Sequence, residues 1–166
     1  PKINMSLNKQ LPFGSKIRIT EKKGKFVKFR NYWIKLTDIK PIKFKNNDVF
    51  SNIKMFKNIK YKWGGKSYMG IDCSALIQIL LNFNGNYCPR DTKDQVNYFK
   101  KNVSLKKIKK NDLIFWKGHV AVAISKSKLI HAYGPYKKVV IMPIKKTIKR
   151  IYKTAKLRVV CVKRPL

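Results

Sequence analysis

Carboxylates are scarce in this sequence. Seven of the 166 residues are Asp or Glu, against 40 Lys and Arg, so that the formal net charge is +33. Such a balance usually indicates a protein that binds nucleic acid. Only 6 of the basic residues are Arg, however, and Arg is the residue that pairs with phosphates and guanines through two parallel hydrogen bonds. The excess of Lys therefore disfavours nucleic acid and fits a solvated basic surface.

Long apolar runs are also lacking. None exceeds about six residues, whereas a helix that spans a membrane needs about 20. The first residues do not show the charged start and apolar stretch of a signal peptide, which favours the cytoplasm over the cell envelope, with a removed signal as the alternative. Since 44% of the residues are hydrophobic and 12% aromatic, the chain has enough core-forming side chains for one compact domain and a small appendage.

Cysteine and histidine are few. The three cysteines, Cys73, Cys88 and Cys161, lack the C-x-x-C spacing of a zinc or redox site, and only two histidines accompany them. We therefore expect no metal and no organic cofactor. An odd number of cysteines leaves at least one free thiol, which makes a nucleophile worth considering. The alternative is an inert buried thiol, which we expect for Cys88 and Cys161.

The first part of the chain is predicted to form a small β domain over residues 1–43. Three short runs of alternating polarity, separated by turn-like residues, predict a β-meander at 16–20, 25–29 and 32–36. A meander of this kind is typical of an SH3-like barrel, although it is short for a complete one. Residues 44–60 are predicted to be a linker whose apolar side chains pack onto the following domain, residues 61–166.

The second domain is predicted to be α+β, with helices first and an antiparallel sheet afterwards. An apolar helix begins at Cys73, with Asp72 as its N-cap and Gly85 near its end. Thr92 and Gln95 match a capping box for a second helix that runs to about residue 100. A period of two then predicts consecutive strands at 112–116, 119–124, 128–133, 139–144 and 157–162.

This layout suggests a thiol nucleophile. Backbone N–H groups at the start of a helix stabilise a thiolate, so we expect the pKa of Cys73 to be lowered. His119 and His131 lie on one predicted hairpin. A two-residue turn would place them on opposite faces of the sheet, whereas a three-residue loop, 125–127, would place both on one face. We predict the three-residue loop, with Cys73 as nucleophile, His119 as base and His131 as its orienting partner.

Five ordered motifs, which cover about residues 58–145, resemble those of the NlpC-type papain-like cysteine peptidases. The motifs are Tyr61-x-Trp63-Gly-Gly, Gly70-Ile-Asp72-Cys73-Ser74, Pro89-Arg-Asp91-Thr92-x-x-Gln95, Asp112-Leu-Ile-Phe-Trp116 with His119-Val, and Ile130-His131-Ala. One departure is Ala75, where the family usually has Gly. The resemblance implies a papain-like core that hydrolyses bacterial cell-wall peptides. With a preceding SH3-like domain, it implies cleavage between γ-D-Glu and a diamino acid.

The resemblance also implies roles for residues. Cys73, His119 and His131 would be the catalytic triad, and the hydroxyl of Tyr61 would help to hold the oxyanion. Asp91 and Thr92 match positions that bind a free N-terminal amine.

For several candidate substrate-binding residues, a purely structural role explains the sequence equally well. Asp72 and Ser74 flank the site, and Trp63 would line a wall of the cleft. Capping alone would explain Asp72, Thr92 and Gln95, and a packed turn would explain Trp63. The expected partner is a murein peptide, together with an anionic cell-wall polymer on the basic surface. The alternative functions are an acyltransferase or amidase that uses the same Cys and His, and a basic binding module with a degenerate site.

Overall fold

The computed structural model describes residues 11–166 of the chain. Three α-helices and eleven strands lie in this range. They are β1 (Glu21–Lys23), β2 (Phe26–Phe29), β3 (Tyr32–Lys35), β4 (Lys66–Ser67), β5 (Gly70–Ile71), α1 (Cys73–Phe83), α2 (Thr92–Tyr98), β6 (Lys101–Val103), β7 (Leu113–Trp116), β8 (His119–Ala123), β9 (Lys128–Tyr133), β10 (Lys138–Pro143), α3 (Ile144–Ala155) and β11 (Val159–Arg164).

Strands β1, β2 and β3 form a three-stranded antiparallel meander. The first predicted strand, 16–20, is wrong, because the strand that pairs with β2 is Glu21–Lys23. The chain turns at Gly24 and Lys25 instead of at 22–24, and Gly24 supplies the positive φ of +54° that a tight turn requires. The SH3-like assignment and the domain boundaries stay predictions, and residues 1–10 of that domain lie outside the described residues.

The segment between the meander and the second domain contributes to the main core. Val49, Phe50, Ile53 and Phe56 are buried, and they pack with the apolar side chains of α1 and the sheet. The predicted packing of this segment onto the following domain is therefore confirmed at these positions. Met55, another apolar residue of this segment, is exposed.

Strands β6 to β11 form one antiparallel sheet in the order β10-β9-β8-β7-β11-β6. Side chains alternate between its two faces. Val120 and Val122 point to the core beneath α1, whereas Ala121 and Ala123 point to a second core that includes Ile144 and Ile151 of α3. The predicted α+β class is confirmed. Helix α3 and strand β6 were not predicted.

Helix α1 begins where the sequence predicts. The Asp72 carboxylate accepts a hydrogen bond from the Ala75 N–H at 2.8 Å, which satisfies one of the free donors of the first turn. The helix ends at Phe83, followed by Asn84 as C-cap and by Gly85 with φ +73°. Within residues 11–166, no helix is long and apolar enough to cross a membrane.

Candidate active site

Both carboxylate oxygens of Asp72 accept hydrogen bonds at the start of α1. Besides the Ala75 N–H, its carboxylate accepts hydrogen bonds from the Gly64 N–H at 2.9 Å and from the Ser74 hydroxyl at 3.2 Å. Arg90 binds both carboxylate oxygens and also donates to Ser74 Oγ at 2.8 Å. Asp72 and Ser74, two of the predicted substrate-binding residues, therefore form an ion-paired cluster with Arg90 beneath the first turn of α1.

The Cys73 thiol lies at the junction of α1, α2 and β8. Its Sγ is 4.0 Å from Thr92 Oγ1, and the nearby backbone N–H groups of Val120 and Ser74 favour the thiolate. The prediction of a lowered thiol pKa is wrong. Burial raises the pKa of Cys73, although the Val120 N–H opposes this effect, and the nearby Asp72 charge raises the pKa further. The sequence could not show how far tertiary packing would remove the thiol from water.

The two histidines meet across the β8–β9 hairpin. Strand pairing aligns Val122 with Ile130 and Ala123 with Leu129, and Ile124 N–H donates to the Lys128 carbonyl at 2.9 Å. The loop is therefore the predicted three residues, 125–127. His119 and His131 lie on one face of the sheet, and His119 Nε2 is 2.9 Å from His131 Nδ1.

The imidazole pair is enclosed by aromatic and sulfur-containing side chains. The His131 ring stacks on Tyr133 with a centroid distance of 4.6 Å, and its Nε2 lies 3.5 Å from Met142 Sδ. The Trp116 ring lies 5.6 Å from His119. Burial lowers the pKa of His119 to about 4. Burial and the neighbouring imidazole lower the pKa of His131 well below its ordinary value. Both rings are thus neutral at pH 7.

The face of the sheet beside the histidines is covered. The small side chains of Ala121 and Ala123 would by themselves leave room there for the site. Both are fully buried under α3, in a core with Ile144 and Ile151. Helix α3 was not predicted, and the covering of this face of the sheet was missed with it.

Tyr61 lies close to the thiol. Its backbone forms a bridge to Ile71, the residue before the N-cap of α1, and its ring packs 3.6 Å from the position that a Cβ would take on Gly134. Burial raises the pKa of Tyr61, and the charges of Cys73 and Asp72 raise it further. The phenol therefore stays protonated and available as a hydrogen-bond donor near Cys73.

Helix α2 does not begin with the predicted capping box. Its N-cap is Asp91, and Thr92 is the first helical residue. Gln95 donates to the carbonyls of Ser74 and Pro89, both at 3.0 Å, instead of reaching back to the start of α2. The buried Thr92 and Gln95 side chains thus connect α2 to the first turn of α1.

The two remaining predicted residues are exposed. The Asp91 side chain makes no capping hydrogen bond. It lies beside Arg90, whose pKa is raised mainly by Asp72 and to a smaller extent by Asp91. Trp63 is 84% exposed. Both side chains could contact a bound molecule, and their roles stay predictions.

Arg90 and Tyr133 are residues of the site that the sequence did not single out. Arg90 lies inside the third motif, between Pro89 and Asp91, so its position was a usable signal. The stacking of Tyr133 on His131 follows from their spacing of two residues on one strand. Among residues 11–166, no three His, Cys, Asp or Glu side chains come together in a way that could hold a metal ion.

A known family matches most of the second domain. The NlpC/P60 family matches residues 58–158. The chain belongs to this family. A crystal structure of an NlpC/P60 family protein from Bacillus cereus ATCC 10987 superimposes with a TM-score of 0.78 at 23% identity, covering 99% of this chain and 59% of that one. The predicted resemblance to the NlpC/P60 proteins is confirmed.

Two curated proteins are similar to this NlpC/P60 chain in sequence. Dipeptidyl-peptidase 6 of Lysinibacillus sphaericus is 38% identical over 72 residues, which are 43% of this chain and 27% of that protein. Gamma-D-glutamyl-L-lysine dipeptidyl-peptidase of Bacillus subtilis (strain 168) is 30% identical over 131 residues, which are 72% of this chain and 44% of that protein. The aligned part is therefore less than half of the length of either relative.

Proposed function

We propose that this chain is a cysteine-type endopeptidase that hydrolyses the amide bond between γ-D-Glu and a diamino acid in murein stem peptides. Membership of the NlpC/P60 family supports a peptidase. The names of the two curated relatives, both dipeptidyl-peptidases and one specified for γ-D-glutamyl-L-lysine, support this bond.

The hydrogen bond between His119 Nε2 and His131 Nδ1 carries the proposal. Because this bond occupies Nε2 of His119, Nδ1 of His119 is the nitrogen that can accept a proton from a thiol. Within residues 11–166, His119 Nδ1 makes no hydrogen bond. The N–H of Val120, the residue after His119, lies near enough to the Cys73 sulfur to favour its thiolate. With a raised thiol pKa and a lowered imidazole pKa, the resting pair is neutral, and the proton moves as the sulfur attacks.

The reaction has two steps. The Cys73 sulfur attacks the γ-carbonyl carbon while its proton passes to His119, and the carbonyl oxygen becomes an oxyanion. The Cys73 N–H, which precedes the intrahelical hydrogen bonds of α1, and the Tyr61 hydroxyl are the proposed donors to that oxyanion. When the intermediate collapses, the diamino acid leaves with the proton from His119. His119 then takes a proton from water, whose oxygen attacks the thioester and releases the dipeptide and the free thiol.

Substrate recognition rests on α2 and the exposed residues near it. The Asp91 carboxylate is exposed and does not cap α2, so it can pair with the ammonium group of an N-terminal L-Ala. Thr92 is close enough to Cys73 to contact the substrate at the reacting carbonyl. We expect Trp63 to cover one side of the bound peptide. Asp72 and Ser74 are assigned to holding the helix, because Arg90 already occupies them.

The test is the cleavage of L-Ala-γ-D-Glu-L-Lys and L-Ala-γ-D-Glu-diaminopimelate, each beside an N-acetylated copy. We expect release of the free diamino acid and of L-Ala-γ-D-Glu from the free-amine peptides, and little from the acetylated ones. Cys73→Ala must abolish the release, whereas Cys161→Ala is the control that must not. Equal cleavage of acetylated and free peptides would refute recognition of the amine by Asp91. Product that forms only when an acyl acceptor is added would indicate an acyltransferase instead.

A further inference from the structure

The last third of the chain carries charge of one sign only. Residues 113–166 contain fourteen Lys and Arg and no Asp or Glu. Of these cations, Arg164 forms an ion pair, with Asp112 at 2.8 Å, and it is the only one that does so within the described part of the chain. The proposed peptidase chemistry needs none of them.

Helix α3 concentrates this charge on one face. Its buried residues, Ile144, Thr147 and Ile151, face the sheet. Five basic residues are all exposed, and at about 100° per residue they fall within a sector of about 140° opposite the buried side. We call this sector, about 12 Å long, the basic stripe of α3. It consists of Lys145, Lys146, Lys149, Arg150 and Lys153.

The basic stripe opposes the stability of its own helix. Lys145, Lys149 and Lys153 are spaced by four residues, as are Lys146 and Arg150, and like charges at this spacing destabilise a helix. Lys145 and Lys146 also lie in the first turn, where the helix dipole favours acidic residues, and that turn has none. A sequence chosen only for a stable helix would avoid this arrangement, so a binding role explains it better.

Each of the two aromatic rings beside the stripe has a guanidinium group over one of its faces. The Arg150 guanidinium lies 4.8 Å from the centroid of the Tyr136 ring, and the Arg158 guanidinium lies 5.5 Å from that of Tyr152. Proteins that bind single-stranded nucleic acid stack the bases on free aromatic rings. Four of the five cations of the stripe are Lys, which attract phosphate as point charges and do not read bases. The surface therefore fits a chain of phosphates without bases.

We propose that the basic stripe of α3 binds a flexible phosphodiester polymer that carries no bases, of the poly(glycerol phosphate) type. The stripe lies near the candidate active site. Arg150 packs on Tyr136, Tyr136 meets Tyr133 edge-on at 5.3 Å, and Tyr133 stacks on His131. Binding the polymer would hold the chain on its surface with the site beside it. The binding itself does not depend on the proposed peptidase function.

The experiment measures binding of the full chain to fluorescently labelled poly(glycerol phosphate) by anisotropy, across a range of salt concentrations. The stripe variant is Lys145→Gln/Lys149→Gln/Lys153→Gln. The matched control is Lys22→Gln/Lys23→Gln/Lys25→Gln, which removes the same charge from exposed positions of the β1–β2 hairpin. We expect the stripe variant to lose about tenfold or more in affinity, and its salt dependence to fall by about two in log–log slope. The control should change by less than about twofold.

Three results would overturn the proposal. Equal losses of affinity in the two variants would show that binding depends on net charge and not on the stripe. If the unmodified chain does not bind poly(glycerol phosphate), there is no binding site for it. Tighter binding of duplex DNA of equal charge would indicate a nucleic-acid surface. Cleavage of the free tripeptide separates this test from the proposed function: the stripe variant should cleave at the unmodified rate, whether or not it binds the polymer. A thermal melt confirms that the stripe variant folds.

Discussion

Arg90 is the residue whose removal tests the architecture beneath the nucleophile. Its guanidinium makes three hydrogen bonds to the Asp72–Ser74 pair, and the Asp72 side chain is only 10% exposed. Breaking a buried ion pair from one side costs about 3–5 kcal/mol. Asp72 keeps its bonds to the N–H groups of Ala75 and Gly64. We therefore expect Arg90→Gln to cost about 2 kcal/mol, which for a chain of this length lowers the Tm by about 4–8 °C.

The same substitution should also slow the reaction of the thiol. After burial, the charge of Asp72 contributes to the raised pKa of Cys73, and Arg90 partly neutralises that charge. Without Arg90 the pKa of Cys73 should rise further, so that a smaller fraction of the thiol is ionised at a fixed pH. Alkylation of Cys73 by iodoacetamide should therefore be slower. Mass spectrometry of the Cys73 peptide measures this rate separately from those of Cys88 and Cys161.

Arg164→Gln is the matched control. Arg164 binds both oxygens of the fully buried Asp112, and neither residue is among the groups that shift the pKa of Cys73. Its loss should also destabilise the fold, but it should leave the alkylation rate of Cys73 unchanged. The reasoning is refuted if Arg90→Gln costs less than about 0.5 kcal/mol, or if the two variants slow alkylation equally.

Three further predictions follow from the site. The folded pKa of His119, about 4, lies below its unfolded value of about 6.5, so the free energy of unfolding decreases by up to about 3 kcal/mol as the pH falls from 6.5 to 4. In urea titrations, His119→Gln should make this decrease smaller, and an unchanged decrease would contradict the burial of His119. Gly65→Ala should cost about 2 kcal/mol or more, because its Cβ would lie 2.5 Å from the Gly70 carbonyl oxygen; a Tm within a degree of the unmodified chain would refute this packing. Tyr61→Phe should reduce kcat about 100-fold with little change in KM; an unchanged kcat would remove Tyr61 from the oxyanion site.

Local sequence signals predicted the parts of the site that depend on local geometry. The start of α1 follows from the capping side chain of Asp72, which needs only the next three residues. The side-by-side histidines follow from the length of a single loop, because one residue more or less would move His131 to the other face of the sheet. Both predictions used residues close together in the chain, where alternation and capping apply directly.

The incorrect predictions concern contacts between distant segments. The pKa of Cys73 depends on its burial between α1 and β8, and no local pattern encodes that burial. Thr92 and Gln95 have capping spacing, but α2 packs against α1, so both side chains turn toward that helix. Helix α3 was missed although Ile144, Ile148 and Ile151 have helical spacing, because the strand predicted at 139–144 extended over its first residue.

The central claim is that Cys73 forms a thioester with the dipeptide. The most direct measurement is acid quenching of the reaction with L-Ala-γ-D-Glu-L-Lys at early times, followed by mass spectrometry of the protein and its peptides. We predict an added L-Ala-γ-D-Glu acyl group on the peptide that contains Cys73, and none in Cys73→Ala. An acyl group on Cys88 or Cys161, or continued release of lysine by Cys73→Ala, would contradict the claim.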